Sequence, residues 1–453
     1  MNLEIVKNLE KEDKDYSDKY SSFSDYLYLM SPQELHNYYK LSKSISTDSR
    51  TVKKGDIYFA LKGENFNGNN FAENAIEKGA SYAVVDDHKI SNPKFLKVKN
   101  SLESLQELAK LHRSKLLKTK VIALTGSNGK TTTKELISEV LKTKFKVCST
   151  YGNLNNHIGV PLTLLSIDPS TEIAVIEMGA NHLNEIKFLT EMINPDYGLI
   201  TNFGKAHLEG FGSIEGVIKG KSELFDYLLN YNKTAFIDGD DKIQNLFRGN
   251  KISFSKDKDS NYNFKEIKDS IFSGINFKNE LIRSNLTGNY NYSNIAFATL
   301  IGLHFGIDIK KIKKAILSYI PSNNRSQIIE KKGKSIVLDA YNANPTSMIS
   351  ALNSFSEKKG TKSIILGDMF ELGVESDKEH KELINFCLKN NFDHIFLIGN
   401  EFYKHKNSFN QPNFYKTKDE LSNHLKKMPL KSELILIKGS RGMKMENVIK
   451  YIF

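Results

Sequence analysis

Val121-Ile-Ala-Leu-Thr-Gly-Ser-Asn-Gly-Lys-Thr-Thr-Thr-Lys-Glu135 decides how this chain is read. Four apolar residues, Val121 to Leu124, predict a buried strand. Gly126 to Gly129 predict a tight loop, and the run from Lys130 predicts a helix. Glycines let backbone N–H groups turn toward an anion, and a helix N-terminus adds partial positive charge. Lys130 is placed to reach the β- and γ-phosphates of a nucleotide, and the Thr131 hydroxyl to meet Mg²⁺. The spacing is not that of the common Gly-x-x-x-x-Gly-Lys-[Ser/Thr] loop, whose first glycine would fall at Leu124. Strand before, helix after and Lys-Thr in register nonetheless predict phosphate binding, with Gly126, Ser127, Asn128, Gly129, Lys130, Thr131 and Thr132 as the cradle.

The surroundings are those of a multidomain α/β chain. At 453 residues it is long enough for about three domains. Its two cysteines, Cys148 and Cys387, build neither a disulfide framework nor a Cys-type zinc site, which fits a reducing, cytoplasmic setting. The first twenty residues mix charges without an apolar core, unlike a signal peptide, and residues 1–24 read as a disordered extension. No apolar run approaches membrane-spanning length, so no stable membrane insertion is expected. The formal charge of +11 is spread along the chain as lysine rather than gathered in basic blocks, so no nucleic-acid partner is expected. Arginine is scarce. Arg50, Arg325 and Arg441 sit in short polar turns, where a bidentate cation suits a phosphate or carboxylate ligand.

Apolar runs alternate with helical ones in three blocks. Residues 56–61 and 81–85 predict strands of a small α/β unit, with a helix over 71–78 and another over 102–117. Residues 173–178 and 197–201 continue the parallel-sheet rhythm after the phosphate loop. Residues 250–285 alternate and predict a β-hairpin insertion. After Pro321 four apolar runs (335–339, 363–368, 394–399 and 434–439) each end near Asp or Gly, predicting a smaller doubly wound domain without a dinucleotide Gly-x-Gly-x-x-Gly. The expected boundaries are 25–117, 118–320 and 321–453.

Ligands of parallel sheets bind beyond the carboxyl ends of the strands. Glu177 ends one such strand, where a carboxylate beside a phosphate loop suits Mg²⁺. His207 follows the next strand. On the residues alone, Lys221 reads as a solvated helix lysine no different from Lys219. The turn holding Asn153, Asn155 and Asn156 reads as ordinary turn chemistry or a ligand contact.

Five motifs together carry a resemblance. They are the phosphate loop, Gly152-Asn-Leu-Asn-Asn-His-Ile-Gly-Val-Pro161, Glu177-Met-Gly-Ala-Asn181, Thr201-Asn-Phe-Gly-Lys-Ala-His-Leu-Glu-Gly-Phe-Gly-Ser213 and Asp339-Ala-Tyr-Asn-Ala-Asn-Pro345. From about Ser46 to Val448 the chain resembles the Mur ligases, ATP-dependent amide-forming enzymes of peptidoglycan synthesis. The last two motifs resemble the branch that joins D-alanyl-D-alanine to UDP-N-acetylmuramoyl-tripeptide. The resemblance implies an N-terminal UDP-substrate domain, a central ATP-binding parallel sheet and a C-terminal Rossmann-like domain, in a monomer using ATP and Mg²⁺. It implies that Lys130 binds ATP phosphates and that Thr131 and Glu177 hold one Mg²⁺. It further implies that His207 ligates a second Mg²⁺ and that Lys221, as a carbamate, helps hold metal. Asn291 and Asn294 are implied on the adenine side, Arg325 toward phosphate and Asp339 toward ribose. Asp48, Ser49 and Arg50 are implied at the UDP substrate. Asn342, Asn344 and the turn Gly439-Ser440-Arg441 are candidate contacts for the dipeptide.

The chain departs from the family pattern in two places. Tyr290 stands where a histidine precedes the adenine-side asparagine, and Asn67-Gly68-Asn69 stands for Asp-Gly-His. Three alternatives compete: a ligase adding the third residue, a folylpolyglutamate-type relative, and a non-ligase P-loop NTPase. The Asp-Asn-Pro-Arg motif of the third-residue ligases is missing here, and an NTPase leaves Glu177, His207 and the Asn-rich turns unexplained.

Overall fold

The computed structural model describes residues 29–257, 259–267, 272–321 and 324–453; the extension expected over residues 1–24 lies outside them. The chain forms two compact units, one of residues up to 117 plus 157–168 and one of residues 118–156 plus 169–453.

The first unit is built on a four-stranded parallel sheet in the order Ile45–Ser46, Ile57–Phe59, Tyr82–Val85, Phe95–Lys97. Tyr58, Ala60, Ala72, Ala75 and Val85 form its small core. Helix Ser101–Lys115 begins where the Asn100 side chain accepts from the Leu102 and Glu103 N–H groups, satisfying donors the helix itself leaves open. Helix Gly159–Leu165 packs on it, and the His112 ring meets the Ile167 carbonyl at 2.9 Å.

The second unit holds two larger sheets and a small antiparallel one. Seven parallel strands run in the order Tyr262–Asn263, Asn250–Ser255, Thr234–Asp238, Tyr197–Ile200, Lys120–Thr125, Ile173–Glu177, Val147–Ser149. The central strand Lys120–Thr125 is fully apolar inside, as a strand covered on both faces must be. The chain leaves it toward one edge and later returns to its other side, so strand order reverses there. The crevice beyond that reversal is where open α/β sheets hold ligands. Ile122, Leu124, Leu136, Ile137, Val175, Phe236 and Phe297 pack the core between the sheet and helices Lys130–Lys142 and Tyr292–His304.

The predicted hairpin insertion needs correction. Asn250–Ser255 is a strand of the parallel sheet; the antiparallel sheet comprises Lys265–Glu266, Phe272–Phe277 and Glu280–Thr287. Asn250–Ser255 lies toward the sheet edge and is exposed at its start, so it alternates like an antiparallel strand. The true hairpin turns on Lys278-Asn279, both at positive φ (50° and 69°), the two-residue turn whose twist matches the strands.

The C-terminal sheet has six strands in the order Gln327–Lys331, Lys334–Asp339, Leu434–Lys438, Lys362–Gly367, His394–Ile398, Asn413–Tyr415, parallel except for the first pair. All four predicted runs are among them.

Asp238, at the end of its strand, carries a pH signature. Burial, with Asp240 and Asp241 nearby, raises its carboxyl to about 6. A carboxyl of folded pKa about 6 and unfolded pKa about 4 binds more protons folded than unfolded between those values, so its contribution to stability is lost as pH rises from 4 to 6. Asp238→Asn removes that slope: by chemical denaturation the variant is more stable than the parent at pH 7.5, by on the order of 1–3 kcal/mol, and matches it near pH 4. An equal pH profile for both proteins contradicts the assignment.

Candidate active site

The phosphate loop connects the central strand to helix Lys130–Lys142. Two glycines are dictated by geometry. Gly126 has φ 144° and a Cβ there would lie 2.0 Å from Thr201 Oγ1; Gly129 has φ 79° and a Cβ there would lie 2.6 Å from Asn294 Oδ1. Neither position admits a side chain without moving its neighbour.

The loop is laced to the segment after strand Tyr197–Ile200. Ser127 N–H donates to the Asn202 carbonyl (3.0 Å), and Asn128 N–H to Asn202 Oδ1 (3.0 Å). Ser127 Oγ donates to the Gly204 carbonyl and accepts from Gly204 N–H, both at 2.9 Å. Thr201 Oγ1 donates to the Asn128 carbonyl at 2.6 Å. These bonds fix Ser127 and Asn128 as scaffold. The helix's own geometry leaves the first-turn N–H groups, around Lys130 to Thr132, facing the crevice. Lys130 Nζ folds back to the carbonyls of Gly126 (2.8 Å) and Ser127 (3.5 Å), and burial lowers its pKa.

Glu177 lies in the crevice, buried at the end of its strand. Its Oε1 accepts from Thr131 Oγ1 (3.2 Å) and Asn155 Nδ2 (2.8 Å). Its Oε2 is buried with no hydrogen-bond partner among the described residues; Lys134 Nζ is 3.9 Å away. The structure thus brings Thr131, Glu177 and Asn155 together, while Asn153 and Asn156 stay exposed on the same turn. Lys134 is a buried lysine that the sequence reading missed. It donates to the carbonyls of Thr150 (2.7 Å) and Gly152 (3.1 Å) and so holds the Asn-rich turn against the loop helix. It recurs four residues after Lys130, one helical turn on, and that spacing was the available signal.

Lys221 contradicts the solvated-lysine reading. It lies on the inner face of helix Ile214–Asn230 and is fully buried. Its Nζ donates to the Ala180 carbonyl at 3.0 Å and sits 5.0 Å from the Phe211 ring centre. Burial, helped by the positive charge of Lys130, pushes its pKa well below the usual lysine range. Lys219, two residues away, is exposed. His207 heads the short helix Leu208–Phe211 with φ 54°, and its Nδ1 lies 2.5 Å from Glu371 Oε2. Contact with His207 lowers the Glu371 carboxyl. Glu371 follows the C-terminal strand Lys362–Gly367, so the carboxyl-end rule applied to that sheet would have found it.

Just before the C-terminal sheet, Arg325 stacks its guanidinium 3.4 Å from the Tyr341 ring centre, with Nε buried and without a hydrogen-bond partner among the described residues. Asp339 accepts from Ser326 N–H (3.1 Å) and pairs with Lys438 Nζ (2.5 Å). Asn291 and Asn294 are buried. Asn294 Nδ2 donates to Asn291 Oδ1 (2.8 Å), and Thr133 Oγ1 donates to Asn294 Oδ1 (2.9 Å), so this pair braces the loop helix. Tyr290 shares a hydrogen bond with Ser326 at 2.9 Å. Asn342 is exposed and accepts from Ala343 N–H, whereas Asn344 is buried. In the other unit, Asp48 and Arg50 close on each other (2.7 Å) at the surface beside buried Ser49.

Comparison with known proteins gives the family. Residues 42–113 match the Mur ligase family catalytic domain, 124–302 the Mur ligase middle domain and 324–441 the Mur ligase glutamate ligase domain. The chain is 35% identical over 424 residues to the UDP-N-acetylmuramoyl-tripeptide–D-alanyl-D-alanine ligase of Bacillus subtilis, covering 90% of this chain and 92% of that protein. It is 31% identical to the ligase of the same name from Escherichia coli, covering 90% and 93%. Among solved structures it is similar to MurF from Acinetobacter baumannii (TM-score 0.83, 29% identity, 93% of this chain and 98% of that one). It is also similar to MurF from Thermotoga maritima in complex with ADP (TM-score 0.79, 27% identity, 91% and 97%). With three matching domains and this likeness along nine-tenths of its length, the chain belongs to the Mur ligase family.

Proposed function

We propose that this protein is the ATP-dependent ligase that joins D-alanyl-D-alanine to UDP-N-acetylmuramoyl-tripeptide. The observation that carries this reading is the crevice itself: a glycine loop with Lys130 and Thr131 meets buried Glu177 at the end of its strand, and the charge of Lys130 acts on buried Lys221 of helix Ile214–Asn230 and is acted on by Arg325, which stacks on Tyr341. The ligases similar to it along most of its length act on these substrates by name. In the reaction the terminal carboxylate oxygen of the tripeptide attacks the γ-phosphorus of ATP and ADP leaves. The dipeptide amine then attacks the acyl carbon, inorganic phosphate leaves and the amine gives up a proton. Such chemistry depends on positioning and charge neutralisation.

The individual roles belong to this reading. Lys130 and the loop helix neutralise phosphate charge. The unpartnered Glu177 Oε2 beside the Thr131 hydroxyl fits a Mg²⁺. Among the described residues no three His, Cys, Asp or Glu side chains cluster as a complete cage. That suits an ion which takes much of its octahedral shell from phosphate oxygens and water. His207 and a carbamate on Lys221 would supply further ligands, and the ion when bound would polarise the phosphoryl oxygens. Arg325 would face phosphate and Asp339 ribose; Asn291 and Asn294 would shape the adenine side from behind the loop. Asp48, Ser49 and Arg50 would meet the uridine nucleotide, and Asn342 the dipeptide. We take 25–117, 118–320 and 321–453 as the functional domains, acting as a cytoplasmic monomer. Among the described residues no helix is long and apolar enough to cross a membrane.

A competition of acceptors tests the assignment. Phosphate release rises with UDP-N-acetylmuramoyl-tripeptide plus D-alanyl-D-alanine and stays at background with a folate plus glutamate. Equal stimulation by the folate pair contradicts it.

A further inference from the structure

Helix Pro345–Ser356 begins with Asn344 as its cap. Asn344 Oδ1 accepts from Ser347 N–H at 2.9 Å, and Pro345 occupies the first helical position, where no N–H is required. The same side chain does something a cap does not need. Its Nδ2 donates to Asn128 Oδ1, on the phosphate loop, at 2.8 Å across 216 residues of sequence. Two residues later Thr346 Oγ1 accepts from Lys205 N–H at 2.9 Å. Lys205 follows Gly204, whose N–H and carbonyl both bond Ser127 Oγ. The start of this C-terminal helix therefore grips the loop through its side chain at Asn128 and, by way of Gly204 and Lys205, at Ser127.

Asn128 is held from two directions. The central sheet fixes its main chain through Asn202 and Thr201. Its side chain is fixed by Asn344, and its own Nδ2 is buried without a partner among the described residues. Rotation of that amide is therefore governed by the C-terminal helix. Each polar atom of the Asn344 amide makes one of these bonds, Oδ1 in the cap and Nδ2 on the loop.

We propose that Asn344 is a positioning residue: it transmits the seating of the C-terminal sheet to the phosphate loop through Asn128, so that the loop reaches its catalytic shape when the amine-binding domain is in place. This rests on the ligase reading above. Asn344→Ser separates the two jobs. Serine caps a helix about as well as asparagine but is too short to reach Asn128. A neutral hydrogen bond of this kind predicts a loss of about 3- to 10-fold in kcat.

The test is steady-state ligation by the full-length chain, comparing wild type, Asn344→Ser, Asn128→Ala and the double variant, with thermal midpoints alongside. The expected result is a 3- to 10-fold lower kcat for Asn344→Ser, a KM for ATP within about 2-fold of wild type, and an unchanged thermal midpoint. The double variant loses no more than the worse single one, because both changes break one link. Wild-type kcat in Asn344→Ser, losses that multiply in the double variant, or a kcat loss matched by a lower thermal midpoint would each overturn the proposal. If wild type itself fails to ligate, the ligase reading falls and this proposal with it; if wild type ligates and Asn344→Ser equals it, only this proposal falls.

Discussion

Lys130→Ala lowers kcat/KM for ligation by about 10²- to 10³-fold, the cost of removing one preorganised charge from a developing phosphoryl anion. The expectation follows from how the lysine is held. Its Nζ donates to two neutral carbonyls of its own loop and burial lowers its pKa. A cation so poorly solvated gains most when phosphate oxygens arrive. Lys130→Arg restores little, because the planar fork does not fit the space of a compact ammonium against a loop whose glycines admit no side chain. The thermal midpoint stays near that of wild type, since no packed apolar group is removed. Initial rates of ADP release check this, and a Lys130→Ala enzyme retaining more than a tenth of wild-type kcat/KM contradicts it.

The second large effect is at Lys221. Lys221→Ala lowers kcat on the order of 10²-fold, and millimolar formate or acetate restores part of it. A buried amine whose charge is disfavoured is the neutral nucleophile that adds CO₂, releasing a proton and leaving a carbamate. The surroundings match: among the described residues Nζ is bonded to the Ala180 carbonyl alone and lies over Phe211, and its positive charge is disfavoured by burial and Lys130. A small carboxylate entering the space left by the side chain replaces the carbamate's oxygens. Alanine also removes a buried lysine stem, so stability is measured in parallel; rescue by carboxylate without a change in thermal midpoint identifies the anionic role. Full activity in Lys221→Ala, or a defect that no carboxylate relieves, contradicts the carbamate.

What was legible in the sequence follows a physical line. The strand–loop–helix of residues 120–142 was plain because a doubly covered strand must be continuously apolar and a phosphate loop must be glycine-rich. The four C-terminal strands were plain for the same reason. Asn250–Ser255 was misread because a strand toward the edge of a parallel sheet alternates as an antiparallel one does. Lys221 was indistinguishable from Lys219 by residue type; only the face of helix Ile214–Asn230 that packs inward separates them. The partners of Lys134 are main-chain carbonyls, which carry no sequence signal, so its one-turn spacing from Lys130 was the sole cue to it. The pairs His207–Glu371 and Asn128–Asn344 join residues 164 and 216 positions apart, and only the folded chain brings them together.

The most direct measurement is the mass of the product. Incubated with ATP, UDP-N-acetylmuramoyl-tripeptide and D-alanyl-D-alanine, the enzyme yields a nucleotide heavier than the tripeptide by one dipeptide less one water, with one ADP released per product. No such species, or ADP released equally without the dipeptide, contradicts the account.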